Sequence, residues 1–314
     1  MVLAQGSEVV HGRERVATLP RMHADEVDID ADLVRRLVAA QFENWSRLSV
    51  EPVAERGTDN ALYRLGHDLV VRLPRHAASV PALRAELRWL PVIAPHVPLP
   101  VPVPIASGAP TEDYPFDWSV ARWLEGELAT TVTLADAHHT ASVLAEFIAA
   151  LGRIDTRDGP PPGGRGGPLA PRDAPMRAAM TRLGDRIDVR AVSRLWEDAL
   201  RAPAWEGPGV WIHGDLDARN VLARDGAISA VVDWGSVAVG DVACDVMVAW
   251  KMVAADERES FRRKLGVDDA TWRRARGWVL SQSLIALGYY TEENNPLLVR
   301  EAWRWYREVV ADHA

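Results

Sequence analysis

The chain is organised around residues 211–245, which read WIHGDLDARNVL at 211–222, ISAVVDW at 228–234 and VGDVACD at 239–245. Apolar, β-rich runs on both sides of residues 213–220 predict a loop between two short strands, and the Asp-Gly pair at 225–226 predicts a tight turn before a third strand. Asp233 then stands at the end of that third strand. Because loops on a rigid scaffold commonly carry chemistry, this stretch is the first candidate for a functional site.

The polar side chains of this stretch indicate a reaction. Asp215 offers a carboxylate that can accept a proton or orient a hydroxyl group, and Asn220 follows after four intervening residues. The oxygens of Asn220 and Asp233 are hard ligands that suit Mg²⁺, which retains water molecules and binds substrate phosphates. This combination is the phosphoryl-transfer arrangement of kinases. Asp215 is therefore the candidate catalytic residue, and Asn220 and Asp233 are the candidate metal ligands.

These motifs resemble those of the aminoglycoside phosphotransferases and their relatives, which are small-molecule kinases with a protein-kinase-like fold. Residues 213–216 with Asn220 are similar to the catalytic loop of that family, residues 232–234 to its metal-binding segment, and residues 240–245 to the segment that follows. Turns and helix caps also use Asp and Asn, but three motifs in this order and spacing favour the family. The resemblance implies ATP and Mg²⁺ as cofactors, with GTP left open as a second donor.

The resemblance also implies an α+β fold with two unequal lobes. We expect a flexible leader over residues 1–24, a nucleotide-binding N-lobe over 25–123 and a C-lobe over 124–314. The N-lobe would hold a small antiparallel β-sheet and one key helix, which the apolar stripe in residues 81–94 predicts. The larger, mainly helical C-lobe would carry the catalytic loop and the site for the acceptor.

Composition narrows the class of protein. The 314 residues are 48% hydrophobic and 25% charged, which is typical of a globular chain with a sizeable core. The formal net charge of −8 argues against a nucleic-acid partner and is compatible with a cationic small molecule. Cys244 is the one cysteine, and no apolar run has the length of a signal peptide core or a membrane span. We therefore expect a cytoplasmic protein with no membrane partner; the oligomeric state stays open.

Residues 57–60 are the candidate phosphate-covering loop. Gly57, Thr58, Asp59 and Asn60 lie between two strand-like runs, a pattern that predicts a hairpin. The resemblance implies that this turn covers the ATP phosphates, and backbone N–H groups in such turns can face anionic oxygens. The alternative is a plain hairpin turn with no ligand.

Arg72 departs from the family pattern. It lies in a strand-like run, 69–73, at the place where most kinases have a lysine that pairs with the ATP phosphates. The resemblance implies that Glu86, on the key helix, pairs with Arg72 and directs it towards the phosphates. Arginine keeps the charge but has a larger, planar head, so an unusual phosphate donor remains open. The alternatives are a solvent-facing Arg72 and a solvated Glu86.

Arg122, Trp123 and Leu124 are the candidate hinge between the lobes. They follow a strand-like run and precede Gly126. The resemblance implies that backbone groups of this segment, chiefly those of Trp123 and Leu124, bind the edge of the adenine ring. Backbone contacts leave no mark on a sequence, so this assignment depends on the resemblance alone.

The identity of the acceptor is open at this stage. The resemblance favours an aminoglycoside-type antibiotic, while macrolides, sugars, choline and homoserine are further acceptors of related enzymes. A group of acidic residues could attract a cation if they lined a cleft, but their number is more typical of a solvated acidic surface; these are Asp256, Glu257, Glu259, Asp268, Glu292 and Glu293.

Two functions of other classes remain alternatives. One is a catalytically silent nucleotide-binding protein, which Arg72 motivates. The other is a metal-dependent hydrolase that uses His213, Asp215 and Asp233, although the resemblance gives His213 a structural role.

Three further residues of the central stretch receive supporting roles. We expect Asp241 to orient the catalytic loop and Asp245 to cap a helix over residues 246–255. Arg219 either pairs with Asp217 or reaches the transferred phosphate.

Overall fold

A computed structural model describes residues 26–53 and 59–312. The expected leader, residues 1–24, and the loop residues Gly57 and Thr58 lie outside the described residues. The strands are β1 (Val50–Pro52), β2 (Asn60–Leu65), β3 (Leu69–Pro74), β4 (Pro104–Gly108), β5 (Trp118–Arg122), β6 (Glu127–Leu128), β7 (Val210–Ile212), β8 (Val221–Arg224), β9 (Ala227–Val231) and β10 (Ala238–Gly240). The α-helices are α1 (Ala31–Gln41), α2 (Val80–Ile93), α3 (Ala137–Leu151), α4 (Asp173–Leu183), α5 (Val189–Arg201), α6 (Ala243–Val246), α7 (Val248–Lys251), α8 (Arg258–Leu265), α9 (Asp269–Tyr289) and α10 (Pro296–Ala311).

The amino-terminal part is a five-stranded antiparallel sheet with the strand order β1-β2-β3-β5-β4. Strand β3 is central and buried along its whole length, which suits its apolar run. Helix α1 begins at its N-cap Asp30, whose carboxylate accepts the N–H of Leu33 at 2.7 Å. Its buried side chains join the sheet in a separate small core.

Helix α2 carries Glu86 and belongs to the larger core. Its residues Trp89, Leu90 and Ile93 are buried with the helices of the carboxyl-terminal part. Buried packing therefore holds the side of α2 that bears Glu86 in place. This anchoring places the buried Glu86 beside the central strand β3.

The carboxyl-terminal part is mainly helical. The 21-residue helix α9 packs against α4, α5 and α10. Side chains on most of its faces are buried, as expected for a helix at the centre of a core. Seven of the 13 tryptophans are almost completely buried, so most of this high count serves the cores. Among the helices of the described residues, none is both long and apolar enough to cross a membrane.

The predicted strand–loop–strand arrangement is present. Strands β7, β8 and β9 match the three predicted runs, and residues 213–220 connect β7 to β8. The β8–β9 hairpin turns at Asp225 and Gly226, which have φ values of 54° and 76°. Positive φ at both central residues is the type I′ geometry that an Asp-Gly pair favours.

The prediction of one helix over residues 246–255 is wrong. Two four-residue helices, α6 and α7, occupy 243–251, and Met247 lies between them. Every side chain from 243 to 251 is buried. Packing therefore decides the path of this segment, and it overrides the local preference for one continuous helix.

Candidate active site

The backbone of the catalytic loop is fixed by Asp245. Its buried carboxylate accepts the N–H groups of His213 and Gly214 at 2.7 and 2.8 Å. Gly214 has a φ of 82°, and a Cβ atom there would lie 2.6 Å from the carbonyl oxygen of Ser236. Only glycine fits this close approach without strain.

The roles expected for Asp241 and Asp245 are therefore exchanged. Asp245 holds the loop, whereas Asp241 binds the guanidinium of Arg274 at 2.6 Å and accepts the N–H of Ala243 at 3.0 Å. Both residues are buried aspartates in one short segment, and each satisfies a different set of donors.

His213 has a structural position. Its Nε2 lies 3.0 Å from the carbonyl oxygen of Val232, and its Nδ1 lies 3.2 Å from the N–H of Asp215. Its ring packs against Trp234, with 4.7 Å between ring centroids. Because both ring nitrogens are engaged and the side chain is buried, His213 is not free to bind a metal as the hydrolase alternative requires. The described residues also contain no group of three His, Cys, Asp or Glu side chains suited to a metal.

Asp215 is surrounded by cations. Its carboxylate lies 2.9 Å from Arg165, 3.6 Å from Arg219 and 3.8 Å from Lys251. Burial by itself would raise the pKa of Asp215, but these three charges outweigh it and hold the pKa well below its ordinary value. Asp215 is therefore ionised throughout the neutral pH range. Sequence reasoning missed both Arg165 and Lys251.

Asp217 and Lys251 form a fully buried ion pair beneath the loop. Lys251 Nζ lies 3.2 Å from Asp217 Oδ2, and neither side chain is exposed to solvent. Arg219 adds two hydrogen bonds to the same carboxylate, from Nε at 3.0 Å and from Nη2 at 2.7 Å. The expected pairing of Arg219 with Asp217 is thus present. Lys251 also lies over the Trp305 ring, 4.3 Å from its centroid.

Asn220 and Asp233 present oxygens suited to Mg²⁺. The amide of Asn220 donates to the carbonyl oxygen of Asp215 at 2.8 Å, and within the described ranges its Oδ1 has no hydrogen-bond donor. The N–H of Val232 donates to the backbone oxygen of Asn220 at 2.8 Å, which ties the loop to the segment that carries Asp233. Asp233 has a φ of 60°, rare for a non-glycine residue, and lines a cavity with 59% of its side chain exposed. One free amide oxygen and one accessible carboxylate fit a metal that keeps waters and phosphates as further ligands.

The Arg72–Glu86 pair is complete. Arg72 Nη1 lies 3.0 Å from Glu86 Oε2, and Arg72 Nη2 lies 3.5 Å from Asp233. The N–H of Trp234 donates to Glu86 Oε1 at 2.9 Å, so one glutamate joins the central strand to the segment that carries Asp233. Burial would lower the pKa of Arg72, but the two carboxylates more than offset it. Burial raises the pKa of Glu86 to about 7, since Arg72 offsets only part of the cost of burying its charge.

Replacing Glu86 tests this pairing. We expect Glu86→Gln to raise KM for ATP by about tenfold, because Arg72 loses its charged partner while the side chain keeps its size. Steady-state kinetics with varied ATP measure the effect. The matched control is Glu51→Gln on the exposed edge of β1, which should change KM by less than about twofold. Equal effects of both variants would contradict a positioning role for Glu86.

Two cavities adjoin these residues. One, of about 200 Å³, is lined by Arg72 and by the predicted hinge residues Arg122, Trp123 and Leu124. The other, of about 580 Å³, is lined by Asp215 and Asp233 together with residues from other elements that include Asp59 and Asn60. The predicted site residues that the structure describes therefore line these cavities, with two exceptions. Asn220 contacts Asp215 and Glu86 contacts Arg72, and both of those partners line a cavity.

The hinge prediction needs one correction. The N–H of Trp123 donates to the carbonyl oxygen of Asp68 at 2.8 Å, so it is not free for a nucleotide. Within the described part of the chain, the N–H of Leu124 has no such acceptor. The backbone of Leu124 is accordingly the better candidate for contact with a nucleobase.

The acidic residues expected near the acceptor do not line the larger cavity. Asp268 caps helix α9, where it accepts the N–H of Thr271 at 2.7 Å, and Glu257 lies 2.9 Å from His138. Their charges serve local contacts away from the site. The positions of Asp268 and Glu257 therefore give no support to the suggestion that these two residues attract a cationic acceptor.

Comparison with known proteins places these features in a family. A profile described as "Phosphotransferase enzyme family" matches residues 49–278. Among proteins with curated functions, a sequence search finds no match. The matched range includes β3, α2, the catalytic loop and Asp233.

Solved structures share the fold. The GDP complex of wild-type aminoglycoside 2'-phosphotransferase-IIIa is similar with a TM-score of 0.68 and 18% identity, over 91% of this chain and 100% of that chain. Macrolide 2'-phosphotransferase MphH from Brachybacterium faecium gives 0.59 and 24%, over 86% and 97%. A thermostable mutant of aminoglycoside phosphotransferase APH(4)-Ia, in a ternary complex with ADP and hygromycin B, gives 0.59 and 17%, over 88% and 98%. The architecture is thus the bilobal, protein-kinase-like one that the sequence predicted.

Proposed function

We propose that this chain, which belongs to the phosphotransferase enzyme family, transfers the γ-phosphoryl group of ATP to a hydroxyl group of a small molecule. The observation that carries the proposal is the direct linkage of Asp215 to Asn220, and of Asp233 to the Arg72–Glu86 pair, at adjoining cavities. The N-lobe, 25–123, would bind the nucleotide, and the C-lobe, 124–314, would bind the acceptor. The single buried cysteine supports a cytoplasmic location.

The nucleotide end of the site uses residues of both lobes. The apolar cavity beside Leu124 is the place for the base, and Arg72, directed by Glu86, is placed to bind the phosphates. Asp59 and Asn60 would cover the phosphates from the N-lobe side. Asn220 and Asp233 would hold Mg²⁺, which when bound neutralises charge on the phosphate oxygens.

Asp215 acts on the acceptor. Its carboxylate accepts a hydrogen bond from the acceptor hydroxyl and so directs the oxygen towards the γ-phosphorus. As the new P–O bond forms, the bond to the β-phosphate oxygen breaks, ADP leaves and the hydroxyl proton passes to Asp215. Because the pKa of Asp215 is held low, we assign it chiefly to orientation, with proton acceptance late in the step.

Replacing Arg165 tests the role of Asp215 through the pH dependence of kcat. We expect Arg165→Gln to raise the pKa of Asp215, because the nearest cation is lost. The reaction needs ionised Asp215, so kcat will fall at a higher pH on acidification than in the wild type. The pH dependence of kcat measures the shift. Arg157→Gln in the same loop, where Arg157 binds the exposed Asp155, is the control and should leave the acid limb in place.

An ADP-release screen tests the proposed function. The purified protein is incubated with Mg²⁺ and either ATP or GTP against a panel of hydroxyl compounds, and the phosphorylated product is identified by mass spectrometry. Acceptor-dependent ADP release supports the proposal. Nucleotide binding without transfer to any acceptor would instead support the silent nucleotide-binding alternative.

Two acceptor classes enter the screen. Related structures contain kanamycin, gentamicin or streptomycin in those proteins, so an aminoglycoside-type antibiotic is the first class. The second is another small alcohol, such as a macrolide, a sugar, choline or homoserine. The arginine side chains that line the larger cavity favour a sugar or homoserine within the second class, because an aminoglycoside carries several positive charges and choline and the macrolides carry one.

A further inference from the structure

The acceptor end of the larger cavity is rich in arginine. Arg165 and Arg172 from the loop region before α4, and Arg219 from the catalytic loop, all line it. Further C-lobe lining comes from α9, α10 and their connection. Among the described residues, this lining contributes polar groups without a formal charge, including Gln282, Tyr290 and Asn295.

Arg172 has no carboxylate counterion among the described residues. Its Nε donates to Ser281 Oγ at 2.8 Å, and its guanidinium lies over the Trp278 ring, 4.9 Å from the centroid. No carboxylate of the described residues lies within salt-bridge distance of it. Burial lowers the pKa of Arg172 to about 10, and the charge of Arg165 adds to the effect. A half-buried cation is therefore held at the cavity by a hydroxyl and an aromatic ring alone.

The other two arginines of the cavity are already paired with carboxylates. Arg219 is bound by Asp217, and Arg165 by Asp215. Asp233 faces Arg72, and Asp59, from the N-lobe, has His76 Nε2 at 3.5 Å. Among the described residues, Arg172 is thus the arginine of this cavity that has no carboxylate partner.

We propose that the acceptor carries an anionic group, a carboxylate or a phosphate, which Arg172 binds. Arg165 contributes to the same positive region, since it binds Asp215 and lies close enough to Arg172 for the two charges to interact. The neutral amide and phenol groups of Gln282, Tyr290 and Asn295 suit additional hydroxyl groups. The acceptor class is therefore a hydroxylated small anion, such as a sugar acid or sugar phosphate, and this inference rests on the proposed function.

A polycationic acceptor fits this end poorly. A ligand with ammonium groups would place like charges beside Arg172, where no carboxylate of the described residues lies within salt-bridge distance. A carboxylate or phosphate would instead form charge-assisted hydrogen bonds with the planar guanidinium, in a site partly shielded from water. Replacing the charge of Arg172 should therefore alter discrimination between acceptors rather than the handling of ATP.

Binding measurements on a matched set of ligands test the inference. Calorimetry is carried out on protein saturated with Mg²⁺ and a non-hydrolysable ATP analogue. The probes are glucose, glucosamine, gluconate, glucose 6-phosphate and kanamycin. We expect gluconate or glucose 6-phosphate to bind at least about tenfold more tightly than glucose, and the comparison of these two anions separates a carboxylate from a phosphate.

Variants assign the preference to Arg172. Arg172→Gln should remove the advantage of the anion, and Arg172→Lys should restore part of it. The control is Arg186→Gln, an exposed arginine that lies 5.1 Å over the Trp303 ring and does not line the cavity. It should leave the preference unchanged. Melting temperatures of all variants establish that each is folded.

Several outcomes would overturn the inference. These are tightest binding of glucosamine or kanamycin, no advantage of either anion over glucose, or equal weakening of all probes by Arg172→Gln. A rise in KM for ATP alone would assign Arg172 to the nucleotide instead. ADP release with cationic or neutral acceptors only would remove this inference and leave the proposed function intact. Anion selectivity without phosphoryl transfer to any acceptor would remove the proposed function.

Discussion

Asp215→Asn is expected to lower kcat by about 10²–10⁴-fold. The substitution keeps the size of the side chain but removes the charge that orients the acceptor hydroxyl and receives its proton. In free energy of activation this corresponds to about 3–5 kcal/mol. Nucleotide binding should persist, because Arg72, Glu86 and the hinge residues are unaltered. Steady-state turnover with saturating ATP and acceptor measures the loss, and calorimetry measures retained ATP affinity.

The neighbouring Arg219 complicates this prediction only slightly. In Asp215→Asn, Arg219 keeps its two hydrogen bonds to Asp217. The loop should therefore stay in place, with an unchanged melting temperature as the control. Turnover within about tenfold of the wild type would show that Asp215 is not the residue that acts on the acceptor.

Asp217→Ala is expected to lower the free energy of unfolding by about 3–5 kcal/mol. The substitution removes a carboxylate with two partners. It neutralises Lys251, whose side chain is fully buried, and it accepts hydrogen bonds from Arg219. After the substitution the nearest carboxylate to Lys251 is that of Asp215, at 3.8 Å. A buried cation without close pairing is costly, so the whole region beneath the loop should loosen.

Chemical denaturation provides the measurement for Asp217→Ala. The matched control is Asp256→Ala, which removes an exposed aspartate that has no hydrogen bond or ion pair within the described residues. Its effect should stay within about 0.5 kcal/mol. If Asp217→Ala were equally mild, the buried pair would contribute no more than a surface charge, contrary to the account given for Lys251.

Local sequence predicted the parts of the site that depend on short-range pattern. Apolar runs around 213–220 predicted the strands that hold the loop, and the Asp-Gly pair at 225–226 predicted its turn. Asp215, Asn220 and Asp233 then followed from their positions at the ends of those strands. These features are visible because they depend on spacing within about 25 residues of one another.

Contacts between residues far apart in the sequence were harder to predict. Arg165 lies in a Pro- and Gly-rich loop with no periodic pattern, and its partner Asp215 is 50 residues away. Lys251 offered a signal that could have been used, since it interrupts the apolar run VMVAWKMV at 246–253. A charge within such a run is commonly paired when the run is buried.

The exchanged roles of Asp241 and Asp245 have a different cause. Both are aspartates of one short segment, so residue type and spacing do not show which one faces the loop. The outcome depends on Arg274, which reaches Asp241 from α9 and satisfies it there. Spacing likewise does not show that the acidic residues at 256–268 are absent from the lining of the cavity to which Arg172 contributes.

The central claim is that Asp215 and Asp233 serve one transfer of the γ-phosphoryl group. Its most direct test follows ATP radiolabelled in the γ-phosphate, in the presence of Mg²⁺ and the acceptor found by the screen, with wild-type protein, Asp215→Asn and Asp233→Asn. The account predicts label on the acceptor for the wild type and almost none for either variant. Equal labelling by a variant, or label released only as inorganic phosphate whatever acceptor is present, would contradict it.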